Sequence, residues 1–193
     1  MSIDPTITTK GPLLKQVVAD LGRHEGYREY AYPDVLKPLF KRYPNERWGF
    51  VPASDILKKL GVSEATAAKD GAPWTVGFGF TKGVTLHSKM PRLQAERMLE
   101  EHILEMDALL NDRLTWYKDT TFVTKTVLIN MAFNLGLAGL LGFKNTLNYM
   151  KEKKWTNAAA NMRASLWYKQ VTNRASELAR RIETQEIPEQ FRS

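Results

Sequence analysis

The chain has 193 residues, with 28 Lys and Arg against 21 Asp and Glu, and no cysteine. Without cysteine there is neither a disulfide framework nor a cysteine-based metal site. The chain has only 3 histidines and no His-Glu-x-x-His pair, which argues against a zinc hydrolase, so we expect no metal and no cofactor. The net charge of +7 favours a polyanionic partner such as nucleic acid, anionic lipid or an acidic cell-wall polymer, and does not choose among them.

The first residues, MSIDPTITTKGP, show no basic stretch followed by an apolar run. No later stretch suggests the roughly 20 consecutive apolar residues that a membrane span needs. We therefore expect a soluble, cytoplasmically made monomer with no stable membrane insertion.

The N-terminal third mixes helix, strand and irregular chain. Leu13, Leu14, Val17, Val18 and Leu21 recur at three- and four-residue spacing, which predicts an amphipathic helix over 11–24. YREYAY then alternates as a strand does. Residues 35–73, interrupted by prolines, are predicted to be mostly irregular, with one short helix in SDILKKLGV that begins at the N-cap Ser54 and ends at Gly61.

The rest of the chain is predicted to be mainly helical. WTVGFGF is predicted as a strand with one bare glycine face, a feature that often marks close approach of a ligand or another backbone. Apolar periodicity predicts a helix of about six turns over 91–111. Residues 122–135 are apolar nearly all round, which predicts a buried helix broken by the glycines from Gly136 on. Further helices are predicted near 143–152, 156–165 and 173–184.

This layout predicts a predominantly helical α+β fold in one domain over 1–193. We expect two lobes joined by the 91–111 helix. The small α+β lobe is 25–90, with 35–73 inside it, and the helical lobe comprises 11–24 and 91–193.

Two carboxylates flank an aromatic stretch in HEGYREYAYPD. Hydrolysis of a glycosidic bond commonly needs one protonated carboxylic acid and one ionised carboxylate on opposite sides of the sugar. Glu25 has the apolar and aromatic neighbours that favour a protonated form, whereas Asp34 follows a proline at the mouth of a loop. By spacing alone, a glutamate at a helix end and an aspartate after proline are more typical of solvated surface groups or turn formers.

The ordered motifs Glu25-Gly26, Tyr32-Pro33-Asp34 and WTVGFG resemble the glutamate, aspartate and threonine constellation of phage-type lysozymes, the endolysins typified by the T-even phages. The stretch from INMAFNLGLAGLLGFKNTL to WYKQVTNRASELARR resembles the helical lobe of the same enzymes. The resemblance covers about 11–34 and 74–184 and implies a two-lobed lysozyme-like fold.

The resemblance also implies roles for individual residues. Glu25 would be the general acid, Asp34 would orient or activate the attacking water, and Thr75 would hold that water. The substrate-binding set would be Tyr32, Asn134, Asn161, Arg174 and Trp48. Arg174 would lie near the acid, and the two asparagines would line the cleft. In the family the threonine closely follows the aspartate, so 35–73 resembles an insertion that would add substrate contacts. Its candidate residues are Arg42, Tyr43, Arg47, Trp48 and Phe50, since Trp and Tyr stack on sugars and Arg meets peptide carboxylates.

The implied function is an endolysin that hydrolyses the β-1,4 bond between N-acetylmuramic acid and N-acetylglucosamine of bacterial peptidoglycan, with inversion. It would remain in the host cytoplasm until the membrane is permeabilised and then act on the wall from the periplasm. Two alternatives are a lytic transglycosylase on the same bond and a non-catalytic cationic protein that disrupts walls or membranes. Nucleic acid is not expected as a partner, because no recognised binding module is present.

Overall fold

The computed structural model describes residues 5–186, with side chains from residue 11 onward. It divides into two compact units. We call Leu21–Leu99 the sheet unit, and the helical unit contains the described residues up to Asp20 and from Glu100 on. Helices α1 (Pro5–Glu25) and α5 (Arg92–Arg113) contribute residues to both units. The lobe boundaries expected from the sequence stay a prediction.

The sheet unit contains a two-stranded antiparallel sheet, which agrees with the predicted α+β class. Strand β1 (Arg28–Pro33) pairs with β2 (Trp74–Gly77), so that Tyr32 lies opposite Thr75 and Pro33 lies opposite Trp74. Side chains alternate between the faces of a strand. Ala31, Pro33, Trp74 and Val76 are accordingly buried, whereas Tyr32 and Thr75 are half-buried on the other face.

Three short helices connect the two strands, where the sequence predicted one. They are α2 (Pro38–Arg42), α3 (Ala53–Leu60) and α4 (Glu64–Gly71). Helix α3 ends at Gly61 as predicted, with a left-handed φ of 66°, but its N-cap is Pro52 and not Ser54. Helix α4 was missed, although Ser63 caps it by accepting a hydrogen bond from the Thr66 N–H at 3.2 Å.

The predicted WTVGFGF strand is too long, because the chain turns back after Gly77. Val76 and Phe80 exchange backbone hydrogen bonds of 2.9 and 3.0 Å across a turn with φ of 67° at Gly77 and 97° at Gly79. A Cβ atom on Gly77 would lie 2.7 Å from Met90 Sδ. Gly77 therefore serves internal packing and does not leave room for a ligand.

The helical unit follows the predicted order of helices. It contains α6 (Phe122–Leu141), α7 (Lys144–Lys151), α8 (Trp155–Arg163), α9 (Leu166–Gln170) and α10 (Thr172–Thr184), of which α9 was not predicted. The break at Gly136 is confirmed, with non-helical φ and ψ of 71° and 159°. By length and composition α6 could cross a membrane, contrary to the sequence expectation, but 56% of its apolar window is buried, which is typical of a core helix.

Tyr117 gives a test of packing in the helical unit. It is 2% exposed and donates a 2.6 Å hydrogen bond to Asp107 Oδ1. Burial first, and then the bond to Asp107, raises the pKa of Tyr117. We expect Tyr117→Phe to lower the free energy of unfolding near neutral pH by about 1 kcal/mol.

That loss should shrink above about pH 10, where the unfolded tyrosine ionises. Because the pKa of Tyr117 is higher in the folded state, its contribution to stability is present below the unfolded-state pKa and is lost as the pH rises. Phenylalanine makes no such contribution. Urea unfolding at pH 8 and pH 10.5 measures the difference in free energy of unfolding between the parent and Tyr117→Phe at each pH. Tyr149→Phe is the control, since that hydroxyl makes no hydrogen bond within residues 11–186. A gap between parent and Tyr117→Phe that is the same at both pH values would contradict the assignment.

Candidate active site

Glu25 stands at the end of α1, where the chain leaves the helix. Gly26 adopts a left-handed φ of 68° and donates its N–H to the Gly22 carbonyl at 3.2 Å, which closes the last helical turn. The Glu25 side chain is half-buried. A Cβ atom on Gly79 would lie 3.8 Å from Glu25 Oε2, so the carboxyl group faces the bare backbone of the turn that follows β2.

Asp34 directly follows β1 and is fixed by its own backbone and side chain. Its N–H donates to the Gly71 carbonyl at 3.2 Å, and its Oδ1 accepts the Leu36 N–H at 2.7 Å. Within the described part of the chain Oδ2 has no hydrogen-bond donor. One carboxylate oxygen therefore holds the loop, and the other can bind a water or a substrate group.

Thr75 lies in β2 directly opposite Tyr32. Opposed residues of an antiparallel pair project to the same face, about 4.5–5.5 Å apart at Cβ. The Thr75 hydroxyl makes no hydrogen bond to any residue from 11 to 186. A threonine hydroxyl can both donate and accept, so it can orient a water molecule without adding charge.

Tyr32 connects these groups electrostatically. Burial raises the pKa of Tyr32, the Arg28 guanidinium opposes this rise, and the Glu25 carboxyl group adds to it. The Tyr32 hydroxyl thus stays neutral near pH 7 and interacts electrostatically with Glu25. Tyr32 lies opposite Thr75, interacts with Glu25 and precedes Asp34 by two positions, so the three catalytic candidates belong to the same sheet unit. Their catalytic roles stay predictions.

Trp48 is not a sugar-stacking residue. It is 4% exposed, its indole N–H donates to the Tyr43 carbonyl at 2.9 Å, and its ring meets Trp74 edge to face at 6.3 Å. It belongs to the apolar core of the sheet unit together with Leu39, Ile56 and Leu57. The expectation failed because the sequence shows an aromatic residue in an irregular stretch and not the short helices that cover it.

The other predicted substrate residues lie in the helical unit. Asn134 accepts a 2.7 Å hydrogen bond from the Trp167 indole N–H, and Asn161 accepts one of 2.7 Å from the Thr146 hydroxyl. Arg174 is 9% exposed in α10. The two asparagines thus have structural contacts within the helical unit, and Arg174 is buried there. Contact of all three with substrate, and of Arg174 with Glu25, stays a prediction.

Sequence reasoning missed Arg28. Its guanidinium stacks 4.2 Å from the centre of the Phe50 ring, donates to the Tyr27 carbonyl at 3.3 Å, and counteracts the pKa rise of Tyr32. The only sequence signal is its place three residues after Glu25. Its contact with Phe50 depends on tertiary packing of the 48–51 segment against β1.

Comparison with known proteins gives the family. The family model for phage lysozyme matches residues 58–185, well over half of the chain. This range includes Thr75 and the helices from α5 to α10, and it begins after Glu25 and Asp34. The family match therefore supports the resemblance of the 74–184 part and leaves that of 11–34 to the motifs themselves.

Curated relatives agree over a shorter range. The chain is 40% identical over 70 residues to "Probable T4-type lysozyme 1" of Dictyostelium discoideum, covering 36% of this chain and 41% of the relative. It is 32% identical over 75 residues to "Probable T4-type lysozyme 2" of the same organism, covering 39% and 44%. The chain spans less than half the length of these relatives. From the extent of the family match, the chain belongs to the phage lysozyme family.

Proposed function

We propose that this protein is a lysozyme that hydrolyses the β-1,4 glycosidic bond between N-acetylmuramic acid and N-acetylglucosamine in peptidoglycan. The observation that carries the proposal is the position of Tyr32, opposite Thr75, in electrostatic contact with Glu25 and two residues before Asp34, in a chain of the phage lysozyme family. An acid, a carboxylate with one unoccupied oxygen and an unpartnered hydroxyl are the parts that hydrolysis by water requires.

In the proposed reaction Glu25 donates its proton to the leaving glycosidic oxygen as the C1–O bond breaks. A water held by the Asp34 carboxylate and the Thr75 hydroxyl attacks C1 from the opposite face and gives a proton to Asp34. The product has an inverted anomeric configuration. This route is expected where the two carboxyl groups lie roughly 6.5–9.5 Å apart, which leaves room for the water.

Thr75→Val tests the role of the hydroxyl, because valine keeps the shape and β-propensity of threonine. Loss of the water's orientation should lower kcat by about a hundredfold, since small misplacements of a reacting group have effects of that order. Thr81→Val, at an exposed position in the same unit, is the control and should retain the parent rate. Turbidity clearing of purified sacculi measures both. A Thr75→Val enzyme that is as fast as the parent would remove Thr75 from the mechanism.

Product analysis tests the reaction itself. Purified peptidoglycan is digested with the parent enzyme, and the fragments are identified by mass spectrometry. Hydrolysis should give muramic acid reducing ends. Each of these contains one more water molecule than an anhydro end and is therefore about 18 mass units heavier. Anhydro-muramic ends would assign a lytic transglycosylase, the alternative in which the substrate's own hydroxyl attacks.

The biological role proposed here is that of an endolysin, acting as a monomer. It would accumulate in the host cytoplasm and reach the wall in the periplasm only after the membrane is permeabilised. Support comes from the resemblance to T-even phage lysozymes. The two named relatives are from an amoeba, so the role needs its own test. Expression in a bacterium without any hole-forming protein should leave the culture intact, and spontaneous lysis would overturn this role.

A further inference from the structure

A groove of about 380 Å³ lies within the sheet unit, on the segment that the sequence identified as an insertion. Its wall is formed by Asn45, Arg47 and Val51 and by the first turn and following residues of α3. The size falls in the range of small-ligand sites. The predicted catalytic groups do not line this groove, so it is a separate feature of the unit.

The groove combines an apolar floor with unpaired charges of both signs. Ile56 is buried and Val51 is half-buried beneath it. Arg47 and Asp55 are exposed on its rim, and neither side chain has an ion-pair or hydrogen-bond partner among residues 11–186. A free guanidinium and a free carboxylate that line one groove without pairing with each other are suited to a ligand that carries both an anion and a cation.

The remaining charges of the groove are already compensated. Lys59 Nζ donates to both carboxylate oxygens of Glu46 at 2.8 and 3.0 Å. This pair contributes no net charge to the ligand site. The charged groups that remain to bind a ligand are Arg47 and Asp55, and the Asn45 amide also lines the groove.

The segment that borders the groove is hydrogen-bonded to β1, the strand that leads to the predicted active site. The Tyr30 N–H of β1 donates to the Gly49 carbonyl at 3.0 Å, and a Cβ on Gly49 would lie 2.7 Å from Arg28 Cδ. Tyr30 is two residues from Tyr32, about 7 Å along the strand, and the paired backbone lies about 5 Å to the side. A peptide of three residues spans roughly 10 Å when extended, so a substituent attached to a sugar at Tyr32 can reach this segment.

We propose that the groove lined by Arg47 and Asp55 binds the zwitterionic end of the stem peptide of peptidoglycan. The inference rests on the proposed lysozyme function. In walls with diaminopimelate, the free end of that residue carries an ammonium and a carboxylate on one carbon. The carboxylate pairs with the Arg47 guanidinium, which suits planar anions, and the ammonium pairs with Asp55, while the methylene chain covers Val51 and Ile56.

The test compares two substrates with one pair of variants. The substrates are glycan strands that carry diaminopimelate stems and the same strands after an amidase has removed the stems. Arg47→Gln should lower kcat/KM on the stem-bearing strands about tenfold, as expected for one charge-assisted contact, and leave the rate on stripped strands unchanged. Arg97→Gln, which removes an exposed arginine of the same unit on α5, outside the groove, should match the parent on both substrates.

Equal losses on both substrates, or no loss on either, would overturn the proposal. Asp55→Asn provides a second variant and should show the same selectivity. A binding titration with the free tripeptide L-alanyl-γ-D-glutamyl-meso-diaminopimelate separates this proposal from the enzymatic one. Saturable binding that is lost in Arg47→Gln and kept in Arg97→Gln supports the groove even if the parent cleaves neither substrate, a result that would refute the lysozyme function alone. Absence of binding by the parent refutes the groove.

Discussion

Glu25→Gln is expected to lower the rate of peptidoglycan hydrolysis by about 10²–10⁴-fold, the usual contribution of a general acid. Glutamine keeps the length and shape of the side chain but cannot supply a proton to the leaving oxygen. The loss should appear in kcat, with KM nearly unchanged, because the acid acts only as the bond breaks. Reducing ends released from purified peptidoglycan over time provide the measurement.

Glu29→Gln is the matched control for this experiment. Glu29 lies in β1 of the same unit, four residues further along, and forms an exposed ion pair with Lys89 at 3.3 Å. Its replacement removes the same formal charge from the same unit. We expect a rate within about twofold of the parent, since exposed ion pairs contribute little.

The same pair of variants separates catalysis from lysis by charge. A cationic protein that disrupts walls without chemistry would depend on its net charge of +7, and both substitutions raise that charge equally. Glu25→Gln and Glu29→Gln would then clear wall suspensions equally fast. That result would contradict the enzymatic function, and a large difference between the two variants would contradict the charge mechanism.

Helix positions were predictable where apolar periodicity is long. The 91–111 helix became α5, Arg92–Arg113, and the fully apolar run became the buried α6. Gly136 was also predictable as a break, because a positive φ is easily adopted only by glycine. Such features depend on local sequence, so a single chain is enough to find them.

Features that depend on tertiary contact were not predictable to the same degree. Trp48 looked like a surface aromatic residue until α2 and α3 covered it, and Gly77 looked like part of a bare strand face until Met90 filled the space beside it. Short helices such as α4 and α9 carry too few apolar positions to show a period. The catalytic candidates, by contrast, were found because their motifs resemble those of a known family.

The residues beside the catalytic candidates also divide into one that the sequence identified and one that it did not. Tyr32 was identified from the motif that contains Asp34, and the structure adds its register opposite Thr75. Arg28 was missed because its role comes from Phe50, 22 positions later in the chain, which stacks on its guanidinium. Pairing of β1 with the 48–51 segment brings the two together, and no pattern within either segment encodes that pairing.

Arg181→Met is expected to destabilise the helical unit by about 3–5 kcal/mol, the cost of removing one partner of a buried ion pair. Asp20 is 2% exposed and accepts hydrogen bonds from both Arg181 terminal nitrogens, one of them 2.9 Å long. The same guanidinium also donates to Glu177 at 2.7 Å. Methionine preserves the aliphatic stem of the arginine but removes the guanidinium that donates to both oxygens of the buried Asp20 carboxylate.

Arg180→Met is the control, because Arg180 is the neighbouring residue on α10 and its ion pair with Glu186 at 3.2 Å is exposed, with side-chain accessibilities of 59% and 57%. Loss of such a pair costs at most about 1 kcal/mol. Urea unfolding followed by circular dichroism compares the two variants with the parent. A double variant, Asp20→Asn with Arg181→Met, should recover part of the loss, because it also removes the buried negative charge that Arg181 neutralises in the parent. Equal stabilities of Arg180→Met and Arg181→Met, or no recovery in the double variant, would show that the Asp20 pair does not hold α1 to α10.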